Sequence, residues 1–200
     1  MSDPFVTKNI LKWYDLNKRS LPWRKNVSKE KRQYNTLISE FMLQQTQVAT
    51  VIPYFNKFVK EIPNIKKLAS VDNKKLIKLW EGLGYYSRAR NLKKAAQSVI
   101  KNFNGVIPDN FDDLKSLSGI GDYTANAILA IAFNKPYIPL DGNVERIIKR
   151  YLYLKKEKEI QKENLIEKKS ILGFSNRSSD YAQALMEFGA LVCKPTKPMC

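Results

Sequence analysis

The chain has 200 residues, of which 44% are apolar and none is histidine, and it carries a formal net charge of +16. This length and apolar fraction suit one domain, or two small interleaved ones, with a real core. The lack of histidine excludes histidine general bases, Ser-His-Asp triads and histidine-ligated metals. The charge favours a polyanionic partner, most simply nucleic acid, although a general bias toward lysine would give the same charge.

No segment of the sequence approaches the run of about 20 apolar residues that spans a bilayer. The first 15 residues predict an amphipathic helix rather than a signal peptide. We therefore expect an intracellular protein without membrane contact, and a cytoplasmic, nucleoid-associated one if it acts on DNA in a bacterium.

Both cysteines, Cys193 and Cys200, lie near the end of the chain. Structural disulfides are rare inside cells. Two cysteines with six residues between them are typical of half a metal site. The alternative is a pair of unrelated thiols.

The apolar pattern is helical nearly everywhere, so the predicted fold class is all-α. An apolar stripe between Phe5 and Leu16 predicts the first helix. Pro22 then fixes an extended segment, in which Trp23 and Arg24 place an apolar plate beside a planar cation. Residues 26–33 read as a polar loop.

A strong helix is predicted from Tyr34 to Val51. Glu40 is its unusual residue, because its neighbours in the sequence are apolar and burying a lone carboxylate is costly. Such an acid is paired, protonated or functional. The alternative is a surface glutamate on an amphipathic helix.

The next helices are bounded by prolines and caps. Pro53 is predicted to start a helix that ends before Pro63, and Asp72 to cap a helix from Lys74 to Glu81.

The turn at 82–84 is predicted to end that helix, and the next one to run from Tyr85 to about Phe103. Adjacent tyrosines and arginines at this turn suit stacking on bases and pairing with phosphates. The alternative is core tyrosines with solvated arginines.

The segment from 114 to 133 predicts a helix–hairpin–helix motif. A short helix leads into Gly119-Ile120-Gly121, and a long apolar helix follows. A Gly-x-Gly turn at a helix start presents backbone N–H groups beside the positive end of the helix dipole, which binds phosphate. Gly119 and Gly121 therefore predict a sequence-independent hold on a DNA strand.

A further helix is predicted to open at Asp141-Gly142-Asn143. An acid at this position is most often only an N-cap. After Arg150 we expect a solvated helix with a thin apolar edge at Ile160, Leu165 and Ile166. The last apolar helix is predicted from Asp180 to Val192.

Several long runs, in order, resemble the MutY-type adenine DNA glycosylases, which belong to the helix–hairpin–helix superfamily that also contains endonuclease III. They cover essentially the whole chain: LPWR, SEFMLQQTQVATVIPYF, LWEGLGYYSRARNLKKAA, LSGIGDYTA, LDGNVER and ALMEFGALVC. The resemblance implies an all-α fold of two lobes with the active site in the cleft between them. It implies a helical barrel domain at 25–137, and an iron–sulfur-type domain formed by 1–24 and 138–200.

This resemblance implies base excision repair on double-stranded DNA by a monomer that removes adenine mispaired with 8-oxoguanine or guanine. The adenine must first leave the base stack. Glu40 matches the family's acid, and its apolar neighbours should raise its pKa so that it protonates adenine N7. Asp141 matches the second carboxylate, which a helix N-terminus favours as an anion and which stabilises the sugar cation or forms a transient adduct.

Tyr123 separates two branches of the superfamily. Endonuclease III-like enzymes have a lysine here, whose amine attacks the sugar and leads to strand cleavage. Tyrosine implies a monofunctional glycosylase. The resemblance also places Tyr123 near the catalytic aspartate and makes Asn143 a second polar supporter.

The resemblance implies two further groups of substrate contacts. The adenine pocket is matched by Trp23, Arg24, Leu43 and Gln183. Residues that probe the opposite purine and wedge the duplex are matched by Gln45, Leu83 and Tyr85.

The chain departs from the family pattern in two places. The loop at 25–33 is longer than the family's connection, which leaves its DNA contacts open. The family holds a 4Fe-4S cluster with Cys-x6-Cys-x2-Cys-x5-Cys, of which only Cys193 and Cys200 are present. We interpret the chain as a fragment whose intact form carries the cluster and a further 8-oxoguanine-recognition domain.

Two alternatives remain at this point. One is an endonuclease III-like glycosylase and lyase for oxidised pyrimidines, against which Tyr123 argues. The other is a catalytically inert DNA-binding module, against which the set of Glu40, Tyr123 and Asp141 argues.

Overall fold

The structure is a computed structural model that describes residues 4–154, 165 and 169–199. All regular secondary structure in these residues is helical, which confirms the predicted all-α class. In the same residues, no helix is both long enough and apolar enough to cross a bilayer.

The helices follow one another with short connections. They are α1 (Pro4–Asn17), α2 (Lys29–Leu43), α3 (Val48–Glu61), α4 (Ile65–Ser70), α5 (Asn73–Trp80), α6 (Ser87–Asn102), α7 (Phe111–Ser116), α8 (Asp122–Phe133), α9 (Gly142–Tyr151) and α10 (Ser178–Leu191), with 3-10 turns at Pro22–Arg24 and Lys169–Leu172.

The chain divides into two compact units. One is continuous and comprises residues 20–128, and the other comprises residues 1–19 and 129–200. We call them the continuous unit and the split unit. The domain bounds predicted from the sequence, 25–137 and 1–24 with 138–200, stay a prediction.

The core of the continuous unit forms around α2. Leu37, Ile38 and Phe41 on this helix are completely buried. Phe58 of α3 meets Trp80 of α5 edge to face, with ring centroids 6.0 Å apart. Since each buried side chain of this size contributes about 1.5–3 kcal/mol, α2 is fixed firmly within its unit.

The split unit joins α1, α9 and α10 around a shared apolar cluster that includes Tyr14, Val144 and Leu185. At its edge, Arg19 Nε donates to Glu187 Oε1 at 2.7 Å, and Glu187 is 1% exposed. Since Glu187 is buried and Arg19 is only partly exposed, the guanidinium compensates a carboxylate that would otherwise be buried alone, and the pair fixes the segment after α1 against α10.

Two predicted N-caps are confirmed. Asp72 accepts hydrogen bonds from the backbone N–H groups of Lys74 and Lys75 at the start of α5. Asp141 does the same for Asn143 and Val144 at the start of α9. Each cap satisfies N–H groups that have no partner inside the helix.

The predicted helix from Tyr34 to Val51 is wrong, because α2 ends at Leu43 and α3 begins at Val48. Gln45 lies between them with a φ of 54°, which no helix accommodates. Pro53 therefore lies inside α3 and does not start it.

The predicted polar loop at 26–33 is wrong in its second half. Ser28 Oγ accepts from the backbone N–H of Lys31 at 3.3 Å, and α2 begins directly after this cap. The predicted apolar stripe of α1 is also too wide, since Phe5 and Leu16 are exposed.

Part of the predicted solvated helix lies outside the described residues, including Ile160 and Ile166. Leu165 is described and is buried in the core of the split unit.

Candidate active site

Glu40 lies in the last turn of α2 and is only 5% exposed. Phe41 and Met42, which follow it, are fully buried. The alternative of a surface glutamate is therefore wrong. A carboxyl in such surroundings is suited to act as an acid, because burial disfavours its charged form.

The predicted hairpin turn is present between α7 and α8. Gly119 has a φ of 81°, and a Cβ added there would come within 2.8 Å of Phe41 Cε1 and of Asn91 Cβ. Only glycine fits this place. The turn is thus packed directly against the residue that follows Glu40.

Gly121, at the outer side of this turn, is exposed and has open space where a side chain would be. Its backbone can be approached closely by a phosphate, at the N-terminus of the 12-residue helix α8. This geometry agrees with the predicted phosphate contact of Gly119 and Gly121, which stays a prediction.

Gln44 connects the end of α2 with the start of α8. Its Nε2 donates to the carbonyl oxygen of Gly119 and to Thr124 Oγ1, both at 3.4 Å. Tyr123, beside Thr124 in the first turn of α8, is half-buried. The hairpin turn, the first turn of α8 and the end of α2 thus belong to one connected cluster, and Tyr123 lies in that turn of α8.

Two short loops carry the residues predicted to probe a duplex. The first, residues 44–47, holds Gln45, and the second, residues 82–86, holds Leu83 and Tyr85. Gln45 is exposed and Tyr85 is 62% exposed, with φ values of 54° and 47°. Leu83 is buried in this structure, so it would have to leave the core before it could enter a duplex.

Trp23 and Arg24 lie in the 3-10 turn that follows Leu21. The ring of Trp23 meets Phe55 of α3 edge to face, at 5.3 Å between centroids. This contact and the fold of the turn give Trp23 a fixed, half-buried position. Leu43, the last residue of α2, is also half-buried.

Asp141 is held by three hydrogen bonds at the start of α9. Its Oδ1 accepts from the N–H groups of Asn143 and Val144 at 3.0 and 2.8 Å, and its Oδ2 accepts from Asn143 Nδ2 at 2.8 Å. Burial nevertheless raises the pKa of Asp141, because desolvation outweighs these bonds and the charge of Arg146. The hydrogen bonds at the helix N-terminus do favour the anion, as predicted, but burial has the larger effect on the pKa of Asp141.

Arg146 fixes the side chain of Asn143 by a hydrogen bond. Its Nη2 donates to Asn143 Oδ1 at 2.8 Å and to the carbonyl oxygen of Gly189 at 2.7 Å. Its Nε donates to the carbonyl oxygen of Cys193 at 2.6 Å. Sequence reasoning missed Arg146, although it stands one helical turn after Asn143, where an i to i+3 contact is expected.

Cys193 is a buried free thiol at the end of α10. Its Sγ accepts from Arg150 Nη1 at 3.2 Å, and the same guanidinium donates to the carbonyl oxygens of Lys194 and Pro195. Cys200 lies outside the described residues. Within these residues, no group of three or more His, Cys, Asp or Glu side chains could hold a metal ion.

Comparison with known proteins identifies the family. The HhH-GPD superfamily of base excision DNA repair proteins matches residues 38–172. The chain belongs to the HhH-GPD superfamily.

Three relatives, each named adenine DNA glycosylase, are similar over nearly the whole chain. A Buchnera aphidicola protein (from Acyrthosiphon pisum) is 44% identical over 100% of the chain and 57% of its own length. The rat protein is 41% identical over 96% of the chain and 39% of its own length. The human protein is 40% identical over 96% of the chain and 36% of its own length. The chain thus spans about a third to somewhat over half of these relatives.

Solved structures agree with the HhH-GPD fold. A thermostable thymine-DNA glycosylase superposes with a TM-score of 0.82 at 26% identity, covering 98% of this chain and 89% of its own. Endonuclease III in a trapped covalent complex with DNA superposes with a TM-score of 0.77 at 23% identity, covering 98% and 88%.

In this HhH-GPD chain the site residues fall into two groups, one in each unit. The continuous unit carries Glu40, Tyr123, Trp23, Arg24, Leu43, Gln45, Leu83, Tyr85, Gly119 and Gly121, and the split unit carries Asp141, Asn143, Gln183 and Cys193. Gln183 is buried in α10, where its Nε2 donates to the carbonyl oxygen of Ser179 at 3.1 Å. Its predicted contact with adenine stays a prediction.

Proposed function

We propose that this chain carries the catalytic part of a monofunctional DNA glycosylase, which hydrolyses the N-glycosidic bond of adenine mispaired with 8-oxoguanine or guanine. The observation that carries the proposal is the buried carboxyl of Glu40, next to the residue that packs on the phosphate-binding turn. Relatives named adenine DNA glycosylase support the choice of base.

The reaction needs the adenine outside the base stack and two carboxyl groups with opposite protonation. Glu40 donates its proton to adenine N7. The bond between C1′ and N9 then breaks, and its electron pair stays on N9, so that the protonated base leaves as neutral adenine. Asp141, as a carboxylate, stabilises the positive charge on the sugar until water adds to C1′ and gives up a proton to the Glu40 carboxylate, which restores the acid.

The surroundings of Asp141 suit this second task. The three hydrogen bonds from Asn143 and Val144 fix its carboxylate, and Arg146 holds the Asn143 amide that supplies one of them. A group oriented in advance does not have to reorganise as charge develops on the sugar.

The hydroxyl of Tyr123 cannot form a Schiff base with the sugar, so base removal proceeds without strand cleavage by an amine. The proposed substrate is double-stranded DNA with an A:8-oxoguanine or A:G mispair, bound by one copy of the chain in the cytoplasm.

The protein is also proposed to hold a 4Fe-4S cluster, with Cys193 and Cys200 as two of its four thiolate ligands. Cys193 fits this role, because Arg150 donates to its sulfur and to the two carbonyl groups that follow. The cluster would fix the segment after α10, and no chemical step passes through it.

Two substitutions test the catalytic pair. In Glu40→Gln or Asp141→Asn, we expect single-turnover adenine release from an A:8-oxoguanine duplex to fall about 100- to 10,000-fold. Duplex binding should persist. Unchanged turnover in either variant would overturn the assigned roles.

Asp72→Asn is the matched control for Asp141→Asn, since Asp72 caps α5 with the same pair of backbone hydrogen bonds. Asparagine caps a helix about as well as aspartate, so both variants should keep their stability within about 1 kcal/mol. Only the Asp141 variant should lose adenine release.

The lyase alternative predicts a covalent protein–DNA adduct that borohydride traps through an amine. We expect no such adduct with this chain, and its appearance would favour the lyase. Duplex binding without any adenine release from the unsubstituted protein would instead favour the inert DNA-binding module.

A further inference from the structure

We infer that Arg88 is a positioning residue, which locks the 44–47 and 82–86 loops together so that Gln45 and Tyr85 meet a DNA duplex in one fixed arrangement. This inference rests on the proposed function, because it assumes that these loops contact DNA. Arg88 itself touches neither the base nor the sugar in this scheme.

One side of the guanidinium binds the end of α2 and the loop that follows it. Arg88 Nη1 donates to the carbonyl oxygens of Phe41 and Met42 at 3.3 and 2.9 Å, and also to that of Gln44. It donates in addition to Thr46 Oγ1 at 3.1 Å. A single nitrogen therefore fixes where α2 stops and how the 44–47 loop leaves it.

The other side of the guanidinium binds the 82–86 loop. Arg88 Nη2 donates to the carbonyl oxygens of Leu83 and Gly84 at 3.1 and 3.2 Å. The guanidinium also lies over the ring of Tyr85, at 5.4 Å from its centroid. Trp80 Nε1 also donates to the Gly84 carbonyl oxygen, at 3.2 Å, and this bond gives the 82–86 loop a second attachment.

Arg88 is only 7% exposed, and its hydrogen-bond partners in the described residues are all uncharged. Burying a cation without a carboxylate is costly, so its carbonyl contacts must compensate. An arginine can address both loops because its planar fork carries donors on two terminal nitrogens, whereas a lysine has a single one.

Each loop contains one residue other than glycine in the left-handed region, Gln45 with a φ of 54° and Tyr85 with a φ of 47°. Such conformations cost about 1–3 kcal/mol and persist only where the surroundings determine them. Both residues project to solvent from loops that Arg88 holds by their carbonyl groups. The left-handed backbone and exposed side chains of Gln45 and Tyr85 thus occur in the same two loops that the buried guanidinium of Arg88 binds.

The simpler explanation is that Arg88 only caps the C-terminus of α2, as basic side chains often do. A cap accounts for the contacts with Phe41, Met42 and Gln44. It does not account for Nη2, whose contacts lie entirely on the 82–86 loop. The two explanations differ in whether a change at one loop reaches the other.

The experiment compares amide hydrogen exchange in the full chain and in Arg88→Lys. We expect exchange to rise about tenfold or more in both loops, since each loses charge-assisted hydrogen bonds, with little change elsewhere. Arg90→Lys is the control, because Arg90 lies on the same helix and is exposed. It should leave both loops unchanged.

A second measurement reports on function without requiring catalysis. In a Glu40→Gln background, we compare affinity for an A:8-oxoguanine duplex with affinity for an A:T duplex. We expect Arg88→Lys to lower this ratio about tenfold, whereas Arg90→Gln, which removes an exposed cation on the same helix, should weaken both complexes alike.

Thr46→Val serves if Arg88→Lys does not fold, because it removes one acceptor and leaves the guanidinium in place. Faster exchange in the 82–86 loop of this variant supports the coupling. A response confined to the 44–47 loop, with the affinity ratio unchanged, overturns the inference in favour of a simple cap. Coupled loops in a protein that releases no adenine would sink the proposed function alone.

Discussion

Asp141 combines two roles that place opposite demands on its charge. As the N-cap of α9 it accepts hydrogen bonds that favour the carboxylate, while burial disfavours it and raises its pKa above the ordinary 3.8. The proposed reaction needs the anion, so this carboxyl must stay ionised in surroundings that resist ionisation. A poorly solvated carboxylate that is held in a fixed orientation is well suited to stabilise a positive charge that develops beside it.

Under the proposed mechanism, the raised pKa of Asp141 should set the acid side of the activity profile. We expect adenine release to decline as pH falls through a pKa above 3.8, because protonated Asp141 cannot stabilise the sugar cation. Single-turnover rates measured across acidic pH check this. A rate that stays level down to pH values near 3.8 would contradict it.

The same shift has a consequence for stability, with the opposite sign. Since the folded state holds the Asp141 proton more tightly than the unfolded state, this group favours folding fully below its unfolded pKa of about 3.8. That contribution is lost as pH rises through the folded pKa. The free energy of unfolding relative to Asp141→Asn should therefore be higher at pH 4 than at pH 7, as urea denaturation can measure.

At the scale of elements, α10 meets the start of α9 at a glycine. A Cβ added at Gly189 would come within 2.5 Å of Asn143 Cβ and 3.1 Å of its backbone. Glycine in a helix interior normally costs about 1 kcal/mol relative to alanine. Here close approach of the two backbones outweighs that cost, and it keeps the Asp141–Asn143 turn in place.

Gly189→Ala should therefore destabilise the protein by about 1–3 kcal/mol, in spite of its better helix propensity. Adenine release should fall as well, because the Asn143 backbone would have to shift. Thermal unfolding and single-turnover kinetics check the two effects.

Gly142→Ala is the control for this prediction, since a Cβ there meets nothing within 4 Å. Its stability should be unchanged or slightly higher. If Gly189→Ala is equally stable, α10 does not constrain the turn.

Local sequence signals predicted those elements whose boundaries depend on neighbouring residues. The caps at Asp72 and Asp141, and the hairpin glycines between α7 and α8, could all be predicted from the sequence, because each of these residues determines the structure of residues only a few positions away. The buried state of Glu40 was also indicated by its apolar neighbours.

The break between α2 and α3 could not be read in this way. No glycine or proline occurs at 44–47, and the four polar residues there, QQTQ, are also compatible with an exposed helical turn. The helix ends there because Arg88, more than 40 positions later, takes the carbonyl groups of Phe41, Met42 and Gln44. A tertiary contact of this length leaves no local trace, and the same holds for the contacts of Arg146 with the carbonyl groups of Gly189 and Cys193, although not for its local contact with Asn143.

For the molecule as a whole, the net charge of +16 dominates the expected behaviour with nucleic acid. Each phosphate neutralised by the protein releases counterions, which makes affinity fall steeply with salt. We expect duplex affinity to fall at least about tenfold between roughly 50 and 200 mM salt. Binding titrations at several salt concentrations measure the slope.

The preference for a mispaired over a fully paired duplex should change much less with salt, since it depends on base contacts rather than on phosphates. An affinity that hardly responds to salt would contradict the assignment of the charge to DNA binding. The many lysines would then reflect only the composition of the chain and would have no role in DNA binding.

The tight fit of Gly119 against Phe41 has a geometric consequence for the proposed enzyme. The hairpin turn and α2 are packed on each other, so a phosphate bound at the turn would lie at a constant distance from the carboxyl of Glu40. If the hairpin binds DNA as proposed, the nucleotide presented to Glu40 is the one at a fixed distance along the strand from that phosphate. The proposed enzyme would then select the position of its target from the DNA backbone, and its pocket would select only the identity of the base.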